Sequence, residues 1–416
     1  MTGVPTVLVI AYYFPPLGGA GVQRTLKFVK YLPDYGWLAH VLTVHDQASL
    51  QDSSLVAEIP AEIPITRTPF LRLPARLPWR LRNFISRWFL IVDEQLGWLP
   101  YAVSAGQRII AESGDIQAIY SSSAPYTAHL IASQLHRRTK LPWVADFRDP
   151  WMENPTLKFP TALHRITNER LERSIFAEAD RIILNTDTSR QCYIQKYSNL
   201  PATKFITIPN GYDQADLSIT RQESPVDPAF TIVHLGSLYR KTRSSEYFLR
   251  ALHEAFQAGR LAPGKVRVHF VGAIDKETKD FVRQLKLSDC VELLGYLPHQ
   301  QALNYLFAAD LLLLIPSYGE GSELFVPAKL FEYLASLKPI LCLAEPGACA
   351  DLILQARAGW VVSPKANREI ADQLVSIYQQ WEAGNLEIKP DRKMIASYER
   401  RMLTGQLAHL LSEIYA

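Results

Sequence analysis

Three cations stand within four positions at Arg240, Lys241 and Arg243, closing the run Gly236-Ser-Leu-Tyr-Arg-Lys-Thr-Arg243 just before a helical pattern. Such a composition suits a diphosphate whose negative charge grows as a bond to it breaks. The ordinary alternative is a solvated basic turn. A Gly/Ser loop after a strongly apolar run carries Glu320 and Glu323, and the helix that opens at Pro327 puts Lys329 and Glu332 on one face. Acids and free N–H groups at such a helix start can hold a polyhydroxylated phosphate ester, or they are simply exposed acids near a positive helix end. In Trp143-Val-Ala-Asp-Phe-Arg-Asp-Pro-Trp151 an apolar strand runs out into Asp146, Arg148 and Asp149. Carboxylates accepting from hydroxyls beside a fixed donor fork suit hydroxyl recognition; an internal Asp–Arg pair closing a loop is the other reading. In Tyr12-Tyr-Phe-Pro-Pro-Leu-Gly-Gly-Ala-Gly21 the glycines lead into a helix near Val22 and let a phosphate or sugar hydroxyl approach the backbone, unless they serve only the turn.

Other chemistries find no template. The dinucleotide fingerprint fails because Arg24 stands where its third glycine belongs, the histidines are dispersed without H-E-x-x-H, and neither G-x-S-x-G nor S-x-x-K occurs where a hydrolase needs it. His234 and His269 lie in strand-like runs and read as core or strand-end residues. Cys192, Cys290, Cys342 and Cys349 show no metal or disulfide spacing, so a reducing cytosol is expected, and no metal site is assigned. A formal charge of +3 on 416 residues, without a clustered patch, argues against a nucleic-acid partner. No apolar run has the length and freedom from charge of a spanning helix.

The elements that must position these residues alternate between short apolar or β-branched runs and longer helical patterns, the signature of βαβ units around parallel sheets. Strands are expected at 6–10, 39–44, 118–120, 143–145 and 181–184, and again at 231–235, 267–271, 291–293, 311–315 and 340–343. Helices are expected at 22–32, 125–138, 246–258, 299–308 and 327–336, where apolar residues recur at three- and four-residue spacing. The Pro-bearing polar stretch 209–228 separates two halves that open alike, giving domains at 1–208 and 229–388 with a tail at 389–416.

In this order and spacing the motifs resemble glycosyltransferase family 4, the retaining nucleotide-sugar transferases of the GT-B fold. The resemblance runs almost throughout. It rests on Tyr13-Phe-Pro-Pro with Gly18-Gly19, Ile208-Pro-Asn-Gly-Tyr-Asp213, Val291-Glu-Leu-Leu-Gly-Tyr296 and Lys329-Leu-Phe-Glu-Tyr-Leu-Ala-Ser-Leu-Lys-Pro-Ile340. The variant Ala145-Asp-Phe-Arg-Asp-Pro-Trp151 is similar to a bacterial subgroup associated with cell-surface polysaccharides. The resemblance implies two Rossmann-like α/β domains facing a central cleft, acceptor on the first and nucleotide-sugar on the second, with a C-terminal helix at about 391–415 crossing back to the first. By carry-over, Arg240, Lys241 and Arg243 meet the diphosphate as catalytic groups. Gly18, Gly19, Gly236, Glu320, Glu323, Lys329 and Glu332 bind the donor, Glu332 at the ribose, and Asp146, Arg148 and Asp149 bind the acceptor. The family's E-x7-E spacing is not met, since counting back from Glu332 reaches Leu324, and Arg148 stands where a histidine is often found.

The implied reaction moves a sugar from a nucleotide-diphosphate sugar to a glycan or lipid-linked acceptor, with no metal or other cofactor required. Competing readings are nucleotide-sugar epimerisation on the same fold, and a non-catalytic glycan-binding or scaffold protein. The stretch 77–92 reads as an amphipathic helix with Leu81, Ile85, Trp88 and Val92 on one face and Arg80, Asn83 and Arg87 on another. Either it meets anionic headgroups, giving a cytoplasmic protein at the inner face of the membrane, or it packs on the first domain with its arginines in water.

Overall fold

A computed structural model describes residues 4–45, 50–72, 76–81, 88, 91–155, 157–219, 228–239 and 243–415. The chain divides into two compact units, the first made of 1–210 and 400–416 and the second of 211–399.

The first unit is built on a parallel sheet of seven strands among the described residues, in the order β3-β2-β1-β4-β5-β6-β7. They are β1 (Thr6–Ala11), β2 (Leu38–Val44), β3 (Ile65–Thr68), β4 (Ile116–Ser123), β5 (Trp143–Phe147), β6 (Arg181–Leu184) and β7 (Phe205–Thr207). The connecting helices include α1 (Ala20–Tyr31), α2 (Leu99–Ser113), α3 (Thr127–Thr139), α4 (Ala162–Glu178) and α5 (Asp187–Lys196). The second unit repeats the plan with six strands in the order β10-β9-β8-β11-β12-β13. These are β8 (Phe230–Leu235), β9 (Val266–Val271), β10 (Val291–Gly295), β11 (Leu311–Leu314), β12 (Ile340–Leu343) and β13 (Gly359–Val362). Its helices include α6 (Glu246–Gln257), α7 (His299–Ala308), α8 (Ala328–Ser336) and α9 (Ala348–Gln355).

Both central strands, β1 and β8, are buried at every position, as parallel strands covered by helices on both faces must be. In each sheet the strand order reverses beside them: β1 lies between β2 and β4, β8 between β9 and β11. The loops leaving β1 and β4, and those leaving β8 and β11, therefore diverge at a topological switch point, where open α/β sheets bind ligands.

The strands and helices expected around the two sheets all occur, with ends shifted by a few residues, while the helix expected over 77–92 lies largely outside the described residues. Strands β3, β7 and β13 were not expected. The tail departs from a single helix over 391–415: it is a short helix at Arg392–Ala396 in the second unit, a turn at 397–399, and α10 (Arg400–Tyr415) in the first. Leu403, Leu407, Leu410 and Leu411 of α10 are buried, the helix packs along α1, and Trp37 Nε1 donates to Ser412 Oγ at 3.0 Å.

Candidate active site

The run 12–19 leaves β1 and is pinned from the side. Gly18 N donates to Leu50 O at 2.8 Å and Asp52 N to Pro16 O at 2.7 Å. Gly19, at φ 96°, precedes α1, whose first turn has no side-chain cap. The helices α4 and α5 do carry side-chain caps, from Thr161 and Thr186. An uncapped helix start behind a glycine turn is a place for an anion or a polar ligand.

Asp146 was expected at the acceptor; the structure instead buries it completely. Its carboxylate takes two bonds from the Arg24 guanidinium, at 2.8 and 2.9 Å, one from Tyr120 OH at 2.5 Å and one from Ser122 Oγ at 3.3 Å. Burial opposes its charge, yet the Arg24 guanidinium holds its pKa below the ordinary carboxylate value. Arg24 also donates to Ile208 O at 2.8 Å and Pro209 O at 2.6 Å. The acid thus braces α1, β4 and the strand-exit segment 208–209 and has no surface to offer a ligand. Arg148 is likewise committed: its three guanidinium nitrogens donate to the carbonyls of Ser123, Ala124 and Gly21. It shapes the two switch-point loops rather than reaching outward, and a methyl group on Gly21 would stand 2.9 Å from its Nη1. Asp149, next along the chain, is half-buried, and burial raises its pKa.

In the second unit the loops leaving β8 and β11 meet. Tyr247 at the start of α6 and Tyr318 after β11 stand edge to face at 6.4 Å. Tyr239 and Arg243 pair through both backbone groups, at 3.1 and 2.8 Å, closing a turn. Arg240 and Lys241 lie outside the described residues, so only Arg243 of the three cations is placed. It is half-buried, burial lowers its pKa, and its buried Nε has no hydrogen-bond partner among the described residues. His234 donates from Nδ1 to Leu313 O at 2.9 Å, which leaves Nε2 an acceptor without a partner there. Burial pushes its pKa down to about 4, so the ring is neutral near pH 7. A methyl group on Gly236 would lie 3.3 Å from that Nε2, and Ser245 Oγ, just before α6, is also without a partner. Buried polar atoms left unpaired beside a glycine are the expected state of a site that a ligand completes.

Lys329 and Glu332 on α8 pair at 3.0 Å, and His299 Nε2 at the start of α7 reaches Glu332 Oε1 at 3.1 Å. Burial opposes ionisation of Glu332, but Lys329 and His299 bring its pKa down to about 2, so it is a fixed carboxylate. Helix α8 begins after Pro327 without a side-chain cap. Glu320 and Glu323 are exposed on the loop before it, unpaired among the described residues, and the Glu323 backbone packs so closely on Gly347 that a Cβ there would sit 2.6 Å away. His299 had no motif to announce it, being thirty-three residues from the acid it meets.

The halves match two family models: residues 18–211 the one described as "Glycosyl transferase 4-like domain", residues 229–380 "Glycosyl transferases group 1". Over 223 residues the chain is 23% identical to "Putative colanic acid biosynthesis glycosyltransferase WcaL" of Escherichia coli (strain K12), covering 51% of this chain and 52% of that protein. It spans about half or less of the length of the curated relatives it matches. Sucrose-phosphate synthase (tll1590) from Thermosynechococcus elongatus aligns with a TM-score of 0.70 at 16% identity, over 99% of each chain. Anabaena Alr3699/HepE in complex with UDP-glucose aligns with a TM-score of 0.66 at 18% identity, over 98% of this chain and 99% of that one. The fold is that of the GT-B glycosyltransferases.

Proposed function

We propose that this chain, a glycosyl transferase 4-like domain followed by a glycosyl transferases group 1 domain, moves a sugar from a nucleotide-diphosphate sugar to a glycan or lipid-linked acceptor in bacterial surface polysaccharide synthesis. One observation carries this reading: the second unit holds a fixed carboxylate, Glu332, and, in and after the strand that ends at its switch point, buried Arg243 Nε and His234 Nε2 near Gly236 with no partner among the described residues. A carboxylate accepting from ribose hydroxyls and an arginine facing a diphosphate are complementary to a nucleotide. The colanic acid name of the Escherichia coli relative supports a polysaccharide product, and the UDP-glucose held by the Anabaena protein supports a nucleotide-sugar donor.

In the proposed retaining transfer, the bond from the anomeric carbon to the diphosphate breaks as a bond to the acceptor oxygen forms on the same face. The acceptor proton passes to the departing phosphate oxygen. Arg243, with its sequence neighbours Arg240 and Lys241, stabilises the leaving charge, and no metal is needed for that role. Glu320 or Glu323 accepts from the sugar hydroxyls. On the first unit, the uncapped start of α1 with Gly18 and Gly19 serves an acceptor or phosphate oxygen, and Asp149 is the acceptor-side acid left after Asp146 and Arg148 are spent internally.

The reading is tested by titrating UDP-, GDP- and other nucleotide-sugars calorimetrically and following their hydrolysis. Saturable binding with slow release of free sugar supports it; no binding of any nucleotide-sugar overturns it. A place at the inner face of the membrane belongs to the same proposal. Of the segment 77–92 only 77–81, 88, 91 and 92 are described; Trp79 is 66% and Trp88 42% exposed, and no described helix is long and apolar enough to cross a membrane. Exposed tryptophans among arginines suit anionic headgroups. Co-sedimentation with anionic but not neutral vesicles at low salt is expected, and its absence removes the membrane role alone.

A further inference from the structure

The chain leaving β5 is fastened before it reaches α4. Trp151 is fully buried, stacked on Tyr126 at 4.5 Å, with Nε1 donating to Asn168 Oδ1 at 3.1 Å. The next residue is tied by Met152 N to Glu172 Oε2 at 2.8 Å. Glu172, fully buried in α4, also accepts from Tyr193 OH at 3.1 Å, Tyr197 OH at 2.6 Å and Lys196 Nζ at 2.7 Å. Lys196 reaches on to Glu153 Oε1 at 2.8 Å. A buried acid with its acceptor sites filled is a rigid anchor. It fixes residues 152 and 153 relative to α4 and the end of α5.

Between these elements lies a cavity of about 400 Å³, within the roughly 300–1,000 Å³ span of small-molecule sites. Leu157 and Phe159 give it an apolar wall. Facing them, Arg165, Glu169 and Arg173 lie four apart along α4 and so share one helix face. Arg165 is neutralised by Glu169 at 2.9 Å, and Lys196 by Glu153 and Glu172. Among the described residues Arg173 has no carboxylate partner, although it lies close enough to Tyr197 for its charge to act on that phenol. The cavity therefore presents an apolar, aromatic side, two carboxylates able to accept from hydroxyls, and one unspent guanidinium fork.

We propose that this cavity is a binding site for an acidic saccharide: a uronate carboxylate on Arg173, its ring against Phe159 and Tyr197, and hydroxyls donating to Glu153 and Glu169. The site belongs to the unit assigned the acceptor, and its role in reading a charged glycan rests on the transferase proposal; its existence as a binding site does not.

The test uses the full chain without any nucleotide-sugar. A hyaluronan tetrasaccharide, with alternating glucuronate and N-acetylglucosamine, is titrated calorimetrically at low salt beside neutral chitotetraose and inorganic phosphate. The uronate oligosaccharide is expected to bind, and Arg173→Ala to weaken it about tenfold, an arginine–carboxylate bond's worth of affinity. Phe159→Ala weakens it as well. Neither side chain belongs to the Glu172 network, so circular dichroism and nucleotide affinity stay at wild-type values. The assignment is overturned by no uronate binding, by undiminished binding to Arg173→Ala, by equal affinity for chitotetraose, or by phosphate competing as an equal. Because donor binding is measured separately, failure here leaves the transferase reading standing, and failure of that reading leaves this site to be judged on its own titration.

Discussion

Glu332 is a buried carboxylate kept charged by Lys329 and His299. Its helix, its neighbour Lys329 and its place after a Gly/Ser loop are all local features. Its second partner, His299, was not legible, because contact across thirty-three residues follows from the packing of α7 against α8 and not from any spacing rule. Asp146 shows the converse. The residue type was right for hydroxyl recognition, but Arg24, 122 positions away, had already filled its oxygens. Glu332→Gln is expected to weaken nucleotide binding by about tenfold or more, since bonds to a charged acceptor are worth roughly 1.5–3 kcal/mol. The same substitution reports on acid stability. Glu332 has its folded pKa depressed from 4.5 to about 2, so its contribution is fully present above 4.5 and lost as pH falls towards 2. The melting temperature of the wild type should therefore fall more steeply than that of Glu332→Gln across that window; parallel curves would show that Lys329 and His299 do not favour the charged form. Arg243→Ala, or Lys241→Ala two positions before it, should cut turnover by about 10²–10³ with little change in fold, as loss of one donor to a developing anion does elsewhere. Normal turnover in both would end the diphosphate assignment.

Elements were easier to foresee than contacts. The central strands are short apolar runs bounded by turn residues, and their helices carry apolar residues at helical spacing, so period and length sufficed. The strands that escaped notice lie at sheet edges. Ile65-Thr-Arg-Thr68, Phe205-Ile-Thr207 and Gly359-Trp-Val-Val362 are short and mixed, because only one neighbouring strand and part of a face cover them. Strand ends also set the site. Gly272, at φ 148° beyond β9, lets the backbone pass Gly236 so closely that a Cβ on it would fall 2.2 Å from the Gly236 carbonyl oxygen. Gly272→Ala must push the loop leaving β8 outward, at a cost of about 1–3 kcal/mol for an overpacked contact. Because that loop carries Arg243 to its place, nucleotide affinity should fall together with the stability of the second unit. A variant with wild-type affinity and melting temperature would show that the close approach is not needed.

At the scale of the whole chain, the first unit is closed by a segment from the far end of the sequence. Residues 400–416 join 1–210 although 189 residues of the second unit, 211–399, come between. The resemblance implied such a return; the apolar pattern of α10 alone could say that one face is buried, but not against what. The structure supplies the partner in α1, with Trp37 Nε1 bonded to Ser412 and Arg401 to Asp34 at 3.0 Å. Leu403, Leu407, Leu410 and Leu411 are the buried face, and at about 1.5–3 kcal/mol for each fully buried leucine their joint contribution is of the order of an entire domain's stability. Deleting 400–416 should therefore unfold or loosen the first unit while sparing a second unit whose core holds none of those leucines. Limited proteolysis of the truncated chain is expected to degrade the region before residue 211 and leave a resistant fragment spanning 211–399. If nucleotide recognition belongs to that unit, the fragment keeps its affinity while transfer is lost. Equal protease resistance of both units in the truncated chain would mean that α10 lies on a first unit already stable without it.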